Sequence, residues 1–133
     1  MQSLILLLTT LTVAAATRYV NVHGQLSCDN TYDYRDTLVE LWERDKLDPD
    51  DKLAGPVKPS KEGVFNISGY EDEFGSVHFF LKIHHRCLLV KRDDCPSITD
   101  EYDLVDHGDP NVITQFKKSL VVNQTKMRPN CVI

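Results

Sequence analysis

The densest chemistry in the chain lies in WERDKLDPDD, positions 42–51, where Asp45, Asp48, Asp50 and Asp51 crowd together beside Glu43. Carboxylates at this density can bind calcium, act as an acid and base pair, or cap a turn. A helix–loop–helix calcium loop wants acids at its first, third and fifth positions, Gly at the sixth and Glu at the twelfth. Here Asp48 and Asp50 are followed by Lys52, and no Gly occurs before Gly55. Acid–base chemistry needs an apolar pocket to raise one carboxyl, whereas Arg44, Lys46 and Lys52 keep these acids ionised. Turn chemistry remains: Pro49 fixes one backbone angle, and the flanking aspartates can accept from nearby amides. The block is expected to be a charged turn leaving a strand that ends near Glu43, with neither a metal nor a cofactor in residence.

The histidines give no better catalytic site. His84 and His85 are adjacent and therefore point to opposite faces of a strand, while His78 and His84 share a face but lie roughly 20 Å apart at strand rise. Neither His23 nor His107 has a nucleophile or ligand partner at a telling spacing, and no G-x-S-x-G elbow is present. No catalytic residue is nominated, and the chain is read as a non-enzyme.

Compartment and framework follow from the ends and the cysteines. Residues 1–16 carry no charged side chain, hold an apolar run from Leu4 to Leu8 and close on Ala14-Ala15-Ala16, which is the pattern of a secretory signal peptide. The expected product is a secreted domain, 17–133, of about 117 residues, enough for one core. No second apolar run is long enough to anchor it in a bilayer. The formal charge of −5 falls wholly on this part and disfavours nucleic acid as a partner. Cys28, Cys87, Cys95 and Cys131 imply two disulfides in that compartment. Of the three possible pairings the preferred one joins Cys87 to Cys95 and Cys28 to Cys131. Asn66-Ile67-Ser68 and Asn123-Gln124-Thr125 are glycosylation sequons.

Elements that could position these residues read as strands. Val20, Val22, Leu26 and Cys28 alternate with Asn21, His23, Gln25 and Ser27; Val39 and Leu41 alternate with Leu38, Glu40 and Trp42. The clearest run sets Val77, Phe79, Leu81 and Ile83 against His78, Phe80, Lys82 and His84. Val64–Ser68, with Asn66 outward, and Ser119–Val122 are shorter candidates. Turn signals stand at Asp29-Asn30, Lys61-Glu62-Gly63 and Gly108-Asp109-Pro110. One short helix is expected at Tyr70–Phe74 or after Cys95, and the polar stretch from Pro96 to Phe116 has no strand assigned. The expectation is an all-β sandwich of about seven strands.

The blocks V-x-V-x-G-x-L-x-C (Val20–Cys28), V-E-L-W-E-R-D-x-L-D-P-D-D-x-L (Val39–Leu53), S-G-x-E-D-E (Ser68–Glu73) and F-L-K-I-x-H-x-C (Phe80–Cys87) resemble the nematode transthyretin-like family of secreted proteins. That resemblance implies a transthyretin-type β-sandwich and, by analogy with a few relatives, an extracellular adaptor or ligand. The same superfamily includes the hydrolase of 5-hydroxyisourate, whose site closes on a C-terminal Tyr-Arg-Gly-Ser; this chain ends Arg128-Pro129-Asn130-Cys131-Val132-Ile133 and lacks it. The leading expectation is a binding protein for an extracellular protein or cell-surface partner. Its candidate patch is Leu38, Trp42 and Phe80, outward apolar residues of two strands. The alternatives are a carrier of a small apolar ligand in an oligomer and calcium-dependent binding of a lipid head group.

Overall fold

The computed structural model describes residues 9, 16–29, 32–45, 48–73, 77–105, 109–121 and 127–133. The expected signal peptide, His107 and the Asn123 sequon lie wholly or mostly outside these residues. The chain is all-β: β1 (Ala16–Ser27), β2 (Leu38–Arg44), β3 (Asp51–Val57), β4 (Val64–Glu73), β5 (His78–His85), β6 (Ile98–Asp103) and β7 (Ile113–Ser119). They form two sheets, one in the order β4-β1-β7 and one in the order β3-β2-β5-β6. Among the described residues only the β1–β7 pairing is parallel.

Alternation decides what is buried. Val20, Val22 and Leu26 of β1 and Phe65 and Ile67 of β4 face Val39 and Leu41 of β2 and Phe79, Leu81 and Ile83 of β5 across one core. Gly24 belongs to this inner row because the Phe65 ring lies across it; a Cβ there would stand 2.1 Å from two ring carbons. The expected turn at Lys61-Glu62-Gly63 is present: Gly63 takes a left-handed φ of 81°, and its carbonyl accepts from the Leu26 N–H at 2.8 Å.

Four expectations are corrected. The helix proposed at Tyr70–Phe74 is a continuation of β4 through Glu73, because the same alternation carries on and Tyr70 pairs with Tyr19 and Glu73 with Ala16 of β1. The stretch after Cys95 is β6, and the helical turns that do form are single 3-10 turns at Tyr34–Asp36 and Pro129–Cys131. The last strand is Ile113–Ser119, earlier than Ser119–Val122; Leu120 turns into the core and donates its N–H to Ser27. The disulfides join Cys28 to Cys87 and Cys95 to Cys131, with Cα–Cα separations of 6.0 and 5.5 Å. The pairing differs from the preferred one because Cys28 and Cys87 end β1 and β5 at the same end of the sandwich, one from each sheet, and both point inward. The loop after Cys87 then carries Cys95 away onto the C-terminal tail, where Leu89 bridges Val132 and Val90 donates to Cys131.

On the chain-entropy model each bridge contributes about 4 kcal/mol, given sequence separations of 59 and 36. A tryptic digest under non-reducing conditions is expected to link the peptide holding Cys28 to that holding Cys87; a peptide pair joining Cys87 to Cys95 contradicts the fold. Gly24→Ala is expected to cost about 1–3 kcal/mol in denaturant unfolding, because the methyl displaces the buried Phe65 ring.

Candidate functional site

The outer face of the β3-β2-β5-β6 sheet gathers the residues nominated from sequence. In the β2–β5 register Leu38 stands opposite His84, Glu40 opposite Lys82, Trp42 opposite Phe80 and Arg44 opposite His78. On the far side β6 extends these rows with Thr99, Glu101 and Asp103, and β3 adds Lys52 beside Trp42. The rings of Trp42 and Phe80 stack with centroids 6.4 Å apart and planes inclined by 30°.

This aromatic pair is roofed by cations. The Lys82 ammonium sits 3.7 Å from the Trp42 ring centroid, and the Arg44 guanidinium 4.0 Å from that of Phe80. Phe80 is fully buried under this cover, a correction to its reading as an outward anchor, whereas Trp42 and Leu38 are half-buried. Each cation–π contact is worth about 0.5–1 kcal/mol at such a site. The cations are held in turn: Arg44 reaches Glu101 at 3.1 Å and Asp103 at 3.3 Å. The bond to Glu101, ahead of the opposing effect of burial, keeps the Arg44 guanidinium above its ordinary value.

A second network runs along the next rows. His84 bonds Glu40 through Nε2 at 2.6 Å and Thr99 through Nδ1 at 2.7 Å, and Lys52 approaches Glu40 at 3.6 Å. Burial opposes ionisation of Glu40, but the His84 bond and the charges of His84 and Lys52 outweigh it and hold the carboxyl below its ordinary 4.5. The face therefore interleaves Arg44, Lys52 and Lys82 with Glu40, Glu101 and Asp103, and has no dominant sign.

The remaining nominated residues fall elsewhere. His85 is buried on the opposite face from His84, accepts the Cys87 N–H at Nδ1 and donates from Nε2 to Asp100 at 2.9 Å. His23 bonds Asn66 on the other sheet. Among the described residues, His23, His78, His84 and His85 converge on no common point. WERDKLDPDD runs from the end of β2 to the start of β3, and among its described residues Asp45 accepts the Asp48 N–H and Asp50 accepts the Asp45 N–H, each at 3.3 Å. Its two ends behave differently. Glu43 is fully buried on the inner face, and carboxylate oxygens of Glu43, Asp51 and Glu71 come within 4.8 Å of one another. These oxygens are of the kind a hard cation takes. Arg18, opposite Glu71 in the β1–β4 register, brings a fixed cation to the same end of the sandwich.

Sequence reasoning set Lys82 on the Phe80 face but did not bring Arg44, Glu101 and Asp103 into the patch. Alternation in β5 is enough for Lys82, but the β6 acids become visible only once β6 is known to pair with β5.

With the geometry in place, three comparisons bear on the chain. The sequence model described as "Transthyretin-like family" matches residues 23–100. A curated relative, transthyretin-like protein 16 of Caenorhabditis elegans, is 40% identical over 68 residues, which span 51% of this chain and 50% of that protein. The match thus covers about half the length of the curated relative. A solved 9R-lipoxygenase from Cyanothece PCC8801 overlaps 85% of this chain and 18% of its own at 18% identity, with a TM-score of 0.37, a likeness that carries no argument.

The Glu40 network has a measurable pH signature. Because the folded carboxyl titrates below the unfolded one, its contribution is present above the unfolded value and lost as pH falls through the folded value. Glu40→Gln is expected to cost about 1 kcal/mol near neutrality and to flatten the decline in stability below pH 4.5. Urea unfolding of both forms across that range checks it.

Proposed function

Because this chain belongs to the transthyretin-like family, we propose that it is an extracellular binding or adaptor protein whose contact surface is the outer face of the β3-β2-β5-β6 sheet. The observation that carries this reading is the half-buried Trp42, stacked on Phe80 and covered by a single flexible lysine. A lysine roof shields an aromatic face from water in the free protein at small energetic cost and can swing aside along its own stem. A partner then meets a large, rigid aromatic surface with charged groups already set around it. Tryptophan and arginine in such a setting are the residue types that dominate interface energies.

The charge pattern favours a protein over other partners. Interleaved cations and carboxylates give the face no net sign to draw a polyanion, but they offer paired sites to a protein surface of complementary pattern. The same pattern speaks for a partner selected by register as well as by apolar contact. The reading is non-catalytic, and it includes entry of the chain into the secretory pathway through residues 1–16.

The interior gives little support to a carrier role. The core is filled by side chains from both sheets, and the grooves lined by Tyr19, Ser68 and Tyr70 and by Tyr32, Tyr34 and Pro59 open to solvent.

Capture of crosslinked partners from an extracellular fraction by the oxidised protein tests the face. Trp42→Ala is expected to reduce capture at least about thirtyfold. Gln115→Ala, on the opposite sheet, is expected to leave it unchanged, with both variants melting as folded proteins. Capture that survives Trp42→Ala contradicts the assignment.

A further inference from the structure

We propose that Asn66 carries an N-linked glycan and that the outer face of the β4-β1-β7 sheet is built to lie beneath it. The inference rests on the proposed passage through the secretory pathway. Asn66, Ile67 and Ser68 make the sequon, and strand alternation sorts them: Asn66 and Ser68 are exposed, whereas Ile67 is buried in the core. β4 is an edge strand, paired on one side by β1, so a bulky addition at Asn66 points to solvent without entering the sandwich.

The amide is also oriented for the role. Its Oδ1 lies 2.8 Å from Nδ1 of His23, directly opposite in the register, and this contact leaves Nδ2, the atom that carries a sugar, outside it. Glycosylation retains the Asn66 carbonyl oxygen, so the contact with His23 survives modification. The co-reactant is a lipid-linked oligosaccharyl diphosphate. Nδ2 forms a bond to C1 of the first sugar and gives up one proton, while the C1–O bond to the diphosphate breaks and its electron pair leaves with that oxygen.

The surface around Asn66 has the composition of a sugar-contacting face. The rows across the sheet run Asn66, His23, Gln115 and then Ser68, Asn21, Ile113, followed by Tyr70 and Tyr19. These rows hold amides, a hydroxyl, an imidazole, phenols and one aliphatic side chain, with no carboxylate. Tyr70 and Ile113 are 62% and 60% exposed, large apolar areas left open on either side of the amide-rich centre. Tyr70 lies about 13 Å along the strand from Asn66, a span of a few sugar rings. Amides and hydroxyls can bond sugar hydroxyls, and aromatic faces pack on the apolar faces of pyranose rings. The contrast with the other sheet is chemical: its outer face carries paired charges over an aromatic stack, whereas here the rows from Asn66 to Tyr70 hold uncharged hydrogen-bonding groups, with charge only beyond them at Asp72 and Lys117.

The test expresses the whole chain, residues 1–133, in eukaryotic cells and maps the secreted protein by peptide mass before and after treatment with peptide N-glycosidase. The expected result is that the peptide spanning Asn66 appears at its simple mass only after treatment, with Asn66 converted to aspartate. Ser68→Ala should abolish the modification, and Ser68→Thr should retain it at comparable or higher occupancy. Secreted protein with Asn66 unmodified overturns the proposal while leaving the extracellular reading standing. Protein that stays in the cytosol contradicts both.

Discussion

Residue by residue, the antiparallel pairing of β2 with β5 sets both faces of the four-stranded sheet at once. With Trp42 opposite Phe80 and Leu41 opposite Leu81, the inner rows close on the β4-β1-β7 sheet and the outer rows bring an aromatic pair under Lys82 and Arg44. A slip of one residue would exchange these sets and send Glu40 and Lys82 into the core. The register is thus held by the cost of burying charge on one side and of exposing Val39, Leu41, Phe79 and Leu81 on the other. The bridge between Cys28 and Cys87 then pins a strand of each sheet at a shared end, so the two faces are presented in a fixed relation.

The sandwich has two outer faces of different chemistry, and its edges separate them. On one side β6 and β7 meet through Tyr102 and Phe116, whose rings lie 5.5 Å apart. Burial, followed by the charge of Asp100, pushes the Tyr102 hydroxyl up to about 12, so it stays protonated and serves packing. The acids of β6 that lie on the charged face are engaged by Arg44, which ties the edge strand to the centre of the sheet. His23, His84 and His85 are each committed to local bonds.

How much of this was legible depended on where each strand sits. β1, β2 and β5 are central strands with one buried face, and their period of two is plain in the sequence. β3 was hidden because DKLAGPV breaks the pattern with Gly55-Pro56 and shifts register against β2 between Val39 and Trp42. β6 was hidden because ITDEYD is an edge strand whose inner row includes Asp100, a polar residue bonded there by His85 from β5 and by the Tyr102 hydroxyl. Disulfide pairing could not be read from spacing, since it follows from which strand ends meet across the two sheets. Alternation puts Trp42 and Phe80 on the outer faces of their strands, but their pairing and the roof that buries Phe80 follow only from the β2–β5 register. The block WERDKLDPDD carries the turn bonds its aspartates suggest at Asp45, Asp48 and Asp50, while the inward direction of Glu43 and its proximity to Glu71 required the second sheet.

In the free protein the Lys82 ammonium lies over the face of Trp42. Proton NMR of the Lys82 side chain reads this directly, because methylene protons above an indole are shifted upfield by its ring current. Lys82 resonances are expected well upfield of those of exposed Lys117, collapsing to the same position in Trp42→Ala. Lys82 resonances coincident with those of Lys117 in the unmodified protein would contradict it.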